Sequence, residues 1–185
     1  MELIARDGYR LGATLFRPAA PAERAALILP ATGVPQAYYG KFAAFLAGRG
    51  FTVLTFDYRG IGRSLHASVR SVKAGMRDWA LLDAAAAFEF LEKEVAPARL
   101  MVVGHSFGGQ ALGLLPRPER IAAALTVGSQ SGYWKHWPAL GRAWMWPATH
   151  LGLPVVPRLL GHFGFFREAF RDTLWREAAD WLEAH

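Results

Sequence analysis

The chain is 185 residues long, 52% hydrophobic and 19% charged, with a net charge of +6 and no cysteine. Those values allow one domain with a sizeable core and exclude disorder, disulfides, zinc–thiolate sites and a cysteine nucleophile. The basic residues are scattered and form neither a patch nor a helical stripe, which excludes nucleic-acid binding.

In chain order, "MELIARDGYR" carries Glu2 early and no long apolar run, so no secretory signal is read and the expected compartment is the cytoplasm. Two short extended pieces flank Asp7-Gly8, a hairpin dipeptide. Residues 25–30 are an apolar run too short for a helix and predict a buried strand. Tyr39, Phe42, Ala43 and Leu46 then recur at helical spacing up to Gly48. Residues 51–56, apolar on both faces, predict a strand inside a parallel sheet. "DYRGIGRS" (57–64) is a glycine-rich loop, and 76–94 predicts the clearest helix, with Trp79, Leu82, Ala86 and Phe90 as its inward stripe. Further strands are predicted at 99–104 and 121–129, with a helix at 106–115 between them. Four tryptophans lie in the Pro/Gly-rich stretch 131–160. The tail 168–184 is a helix with Trp175, Ala178 and Leu182 on one side. The alternation of strands and helices implies a mostly parallel sheet covered on both faces. No apolar window is long enough for stable membrane insertion. The most lipophilic stretch, 133–160, is broken by Arg142, His150, Arg158 and prolines.

The motif that carries chemistry is G-H-S-F-G-G (104–109). It stands where a buried strand meets an apolar helix, the context of a nucleophile elbow. A serine in so sharp a turn has its hydroxyl exposed above the sheet. Gly104 and Gly108 remove side chains that would collide, and Gly109 lets the helix approach closely. The N–H of Phe107, at the start of the helix, is then available to an oxyanion. The bland alternative is a glycine-rich turn with an inert serine. Strand alternation turns His105 away from Ser106 and makes it a packed or surface residue.

With those motifs in view, the chain resembles the α/β-hydrolases, and within them the serine-aminopeptidase-like hydrolases. "LILPATGVPQAYYGKFAAFLAGRGFTVLTFDYRGIGRS" is similar to the family's first half, "VVGHSFGGQ" to its elbow, and "GHFGFFR" with "LWREAADWL" to its histidine loop and closing helix. The resemblance implies a three-layer sandwich, Ser106 as nucleophile and His162 as general base. It implies oxyanion donors at Phe107 and, in the loop after the strand at 25–30, at Thr32. Where the family has a His-Gly pair, this chain has Pro30-Ala31. Asp57, Arg59, Gly60, Gly62 and Ser64 match a structural turn, and Asp57 precedes the nucleophile in an order that requires serine, acid, histidine. From the residues alone, His162 reads equally as a loop histidine; the resemblance favours the base. Neither a metal nor a cofactor is implied.

One part of the family pattern is missing. Residues 129–161 contain no Asp or Glu, and no strand followed by an acid lies between the elbow and His162. The predicted fold is therefore an α/β-hydrolase-like sandwich truncated by about two strands. Its core is 1–130, a Trp/Pro-rich cap remnant covers 131–160, and 161–185 hold the histidine loop and closing helix. Glu168, Asp172 and Asp180 read as solvated helix charges. The strand at 121–128 becomes an exposed sheet edge that invites a homo-oligomer, and Trp175, Trp181 and Leu182 are expected to be uncovered. The tryptophans of 131–160 read first as cap core, second as the wall of an apolar acyl pocket, third as a membrane-facing surface. Two functions are open: a serine hydrolase of small apolar esters or amides, weakened by the missing acid, and an inactive interaction or structural protein on the same scaffold.

Overall fold

The computed structural model describes residues 1–129 and 164–185. Strands β1 (Glu2–Ile4) and β2 (Arg10–Phe16) form an antiparallel hairpin in which Leu3 faces Leu11 across the ladder. β2 continues antiparallel onto β4 (Phe51–Phe56), whereas β4, β3 (Arg24–Leu29), β5 (Arg99–His105) and β6 (Ile121–Val127) run parallel. The sheet order is β1-β2-β4-β3-β5-β6. β6 is the last strand among the described residues, which is consistent with the shortened sheet expected from the sequence.

The inner parallel strands β4, β3 and β5 are buried on both faces, and alternation divides their side chains between two cores. Leu27, Leu54, Phe56 and Val102 turn to one face, Ile28, Val53, Met101 and Val103 to the other. The first face is covered by a helical run over 76–95, here α2, and by α3 (Phe107–Ala111). The second is covered by α1 (Gly40–Gly48) and by the C-terminal helical run over 168–184, α4. This is a three-layer sandwich, and the loops at the C-terminal ends of β3, β4, β5 and β6 all open on one edge. Ligands of open parallel sheets bind at that edge.

Two details differ from the sequence reading. Of the stripe Trp79, Leu82, Ala86, Phe90, only Ala86 is buried. The inward face of α2 is Ala80, Asp83, Ala84, Ala86, Ala87, Phe88 and Leu91, while Trp79, Leu82 and Phe90 are half-buried on its shoulders. Alanines let the helix lie close to the sheet, and wide turns over Trp79–Ala84 and Leu91–Val95 shift the register. In α4, Trp175 and Leu182 are buried rather than uncovered; only Trp181, at 41% exposure, stays outside. The Trp175 ring lies 5.3 Å from that of Phe42, and its Nε1 donates to the Phe165 carbonyl at 2.6 Å. Arg49 fastens the helix to α1 through Asp180 (2.7 Å) and Glu183 (2.8 Å). Glu168 pairs with Lys41 and Asp172 lies 3.6 Å from Arg176, so all three acids of the tail named above are engaged at the surface.

Among the described residues no helix is long and apolar enough to cross a membrane. The stretch 131–160 and His162 lie outside the described residues, and with them the cap remnant and the base expected there.

Candidate active site

β5 ends at His105, and the chain turns into α3 through Ser106, whose backbone is held at φ 53, ψ −113. A side chain pays strain of about 1–3 kcal/mol for such a conformation. The surroundings impose it: the Ser106 N–H donates to the Val127 carbonyl at 2.9 Å, and the Ser106 carbonyl accepts from Gly109 at 3.1 Å. The three glycines allow the close approach. A Cβ on Gly104 would stand 2.6 Å from the Gly109 backbone, one on Gly108 would overlap the Leu29 carbonyl, and one on Gly109 would overlap Ser129. Ser106 itself is only half-buried. Phe107 opens α3, so its N–H has no partner within the helix.

The loop after β3 belongs to the same edge, because Leu29 pairs in register with Gly104. Its backbone donors are largely consumed. The N–H of Ala31 goes to Tyr39 Oη (2.8 Å), that of Val34 to the Ala31 carbonyl (3.2 Å), and that of Gln36 to Asp57 Oδ1 (2.6 Å). Pro30 and Pro35 have none. The N–H groups of Thr32 and Gly33 are left without a partner among the described residues.

Asp57, at the end of β4, is 1% exposed. Its carboxylate accepts from Gln36 N, from Gln36 Nε2 at 3.0 Å and from Arg63 N at 2.9 Å. Ser64 Oγ donates to the Asp57 carbonyl (2.7 Å) and accepts from Gly12 N (2.8 Å). Gly62, at φ 46, leaves no room for a side chain: a Cβ there would sit 2.7 Å from Asp57 Oδ2. These bonds tie the turn to the loop before α1 and to β2, so Asp57 braces the turn. Arg59 lies on the other side of the same turn. It donates through Nε to Asp83 Oδ1 (2.8 Å) and through Nη1 to Asp7 Oδ2 (2.6 Å), and Gly60 gives the chain its reversal at φ 82. Burial pushes the Asp83 carboxyl up against the pull of the guanidinium, whereas Arg59 holds the more exposed Asp7 below its ordinary value.

The structure thus brings the elbow glycines, Ser106, Phe107 and the Thr32 loop to one sheet edge, with the Asp57 turn beneath. His105 is fully buried, with Nδ1 2.9 Å from Tyr39 Oη and its ring 5.0 Å from that of Phe166. Of the two residues that hold the loop, Gln36 has no local sequence signal beyond being polar in a turn-rich stretch, and Tyr39 is legible only as the first residue of a helical apolar stripe. A cavity of about 660 Å³ lined by Pro18, Arg24, Gly48 and Arg99 lies at the opposite end of β3 and β5, away from Ser106.

Known structures share this architecture. An α/β serine hydrolase without a lid from Xanthomonas campestris is 18% identical over 100% of this chain and 95% of its own, with a TM-score of 0.66. A protein of unknown function from Agrobacterium tumefaciens, described as an α/β hydrolase, is 20% identical over 99% and 94%, also at 0.66. A thermostable carboxyl esterase from Bacillus coagulans is 15% identical over 69% of this chain and 43% of its own, at 0.60. The chain spans about half the length of that esterase and of several other matching structures. No curated protein sequence matches it. Fold and sheet order define an α/β hydrolase. The family described as serine aminopeptidase, S33, matches residues 23–168, and the chain belongs to that family.

Proposed function

We propose that the protein is a serine hydrolase that cleaves small apolar esters, or amides, through an acyl-enzyme on Ser106. The observation that carries this is the Ser106 backbone, strained at positive φ at a strand-to-helix turn that packing enforces. Esterases among the structural relatives favour ester substrates. Ser106 Oγ attacks the acyl carbon as its proton passes to His162. The N–H groups of Phe107 and Thr32 stabilise the oxyanion, and the alcohol or amine leaves with the proton. Water, deprotonated by the same histidine, then releases the acid. Without an acid to fix the imidazole tautomer, turnover falls by a factor on the order of 10⁴ relative to a complete triad. The cytoplasm is the compartment that goes with this reading.

A fluorophosphonate should label Ser106 in the folded protein, seen by mass spectrometry, and Ser106→Ala should abolish both the adduct and p-nitrophenyl acetate hydrolysis. Folded protein that does not label would sink the proposal. The absence of Asp and Glu from 129–161 favours a second reading, an inactive scaffold protein that binds partners. Equal hydrolysis by wild type and Ser106→Ala is the result that reading requires.

A further inference from the structure

Two buried side chains outside the expected constellation join the segments that carry it. Tyr39 ends the turn before α1, and His105 directly precedes Ser106; both are fully buried. The Tyr39 oxygen accepts the Ala31 N–H at 2.8 Å and lies 2.9 Å from His105 Nδ1. A phenol has one proton, and burial pushes its pKa up, so the proton stays on. Having accepted from Ala31, Tyr39 keeps a proton to give and a second lone pair, so it can bond His105 Nδ1 in either tautomer of that ring. Ala31 immediately precedes Thr32, so this one oxygen couples the loop after β3 to the elbow. Phe166, four residues after His162 in the chain, closes over the pair, its ring 4.8 Å from that of Tyr39 and 5.0 Å from that of His105.

We infer that Tyr39 and His105 are positioning residues, a hydrogen-bonded unit that fixes the oxyanion loop against the nucleophile elbow. The inference rests on the serine-hydrolase reading for its catalytic consequence. Pro30 and Pro35 have no N–H to give, and the phenol supplies from α1's side a tie that the loop's own residues lack. Preorganised donors are effective because they need no rearrangement when charge develops. Loosening the Ala31 N–H frees the following peptide, so that Thr32 no longer shares a target with Phe107.

Tyr39→Phe in the full chain keeps the ring and its contact with Phe166 and removes only the shared oxygen. Amide exchange at Ala31 should then speed up at least about tenfold, as expected for a buried N–H that has lost its partner. The labelling rate of Ser106 should fall about ten- to a hundredfold, with kcat reduced and KM little changed. His105→Asn offers an amide oxygen near the place of Nδ1 and should retain most of the rate. His105→Leu, similar in size but without a hydrogen-bonding group, should lose as much as Tyr39→Phe. The two His105 variants carry the test if Tyr39→Phe does not fold. A folded Tyr39→Phe, or a folded His105→Leu, that labels at the wild-type rate overturns the positioning role. Failure of wild-type Ser106 to label is a different result: it removes the hydrolase reading and the catalytic role with it. Ala31 exchange still decides the tie, and unchanged protection in Tyr39→Phe overturns that too.

Discussion

At the scale of single residues, the site is written in backbone conformation more than in side-chain contacts. Ser106 occupies a region of φ that favours glycine, and the Val127 and Gly109 hydrogen bonds keep it there. That conflict between local preference and global fold is typical of functional positions. It gives a prediction with a definite sign. Ser106→Gly relieves the strain and Ser106→Ala does not, so the glycine variant should be the more stable by about 1 kcal/mol. Urea unfolding of the two inactive proteins measures the difference, and equal midpoints would show that the turn is unstrained. The motif made this residue legible, because G-x-S-x-G between a strand and a helix has few other uses. His105 was legible only as a residue turned away from Ser106. Its partner Tyr39 lies 66 positions off, and no local pattern announces a pairing that tertiary packing alone creates.

At the scale of elements, strands were easier to read than helix faces. The buried strands are short, apolar and bounded by turn residues, so their existence follows from the chain itself. The inward face of α2 does not, because alanine is small enough to face either way and the large residues drew the stripe to the shoulders. Asp83 was missed for a related reason: an acid in an alanine-rich helix reads as solvated until Arg59, 24 residues earlier, is seen to reach it. The Arg59 cluster ties the β1–β2 turn to α2. Asp83→Ala leaves the guanidinium half-paired in a buried place and should cost about 3–5 kcal/mol in urea unfolding. The acid limb of stability has two opposing parts. Asp7 is depressed in the folded state, so its contribution is full above its ordinary value of 3.8 and is lost as the pH falls through the folded value. Asp83 is raised, so its contribution is present below the ordinary value and is lost as the pH rises through the folded one. Asp7→Asn should therefore flatten the fall in urea midpoint below about pH 4. Parallel wild-type and variant curves would remove Asp7 from the account.

At the scale of the whole molecule, the sheet stops at β6 among the described residues, and Ala122 and Thr126 of that strand are exposed. An open edge of a parallel sheet is a template for another strand. Self-association into a dimer or larger species is the expected outcome, with a light-scattering mass of at least twice 20.4 kDa. A mass of 20.4 kDa across a concentration series would mean that the chain covers its own edge. The burial of Trp175 has an optical consequence. Its indole sits among Phe42, Phe45 and the backbone of Phe165, the stretch that follows His162 in sequence. In a variant whose other six tryptophans are replaced by phenylalanine, that one fluorophore should emit at short wavelength and shift to the red when residues 164–166 lift from α1. Its colour would report, without substrate or turnover, whether the chain beside the proposed base is seated.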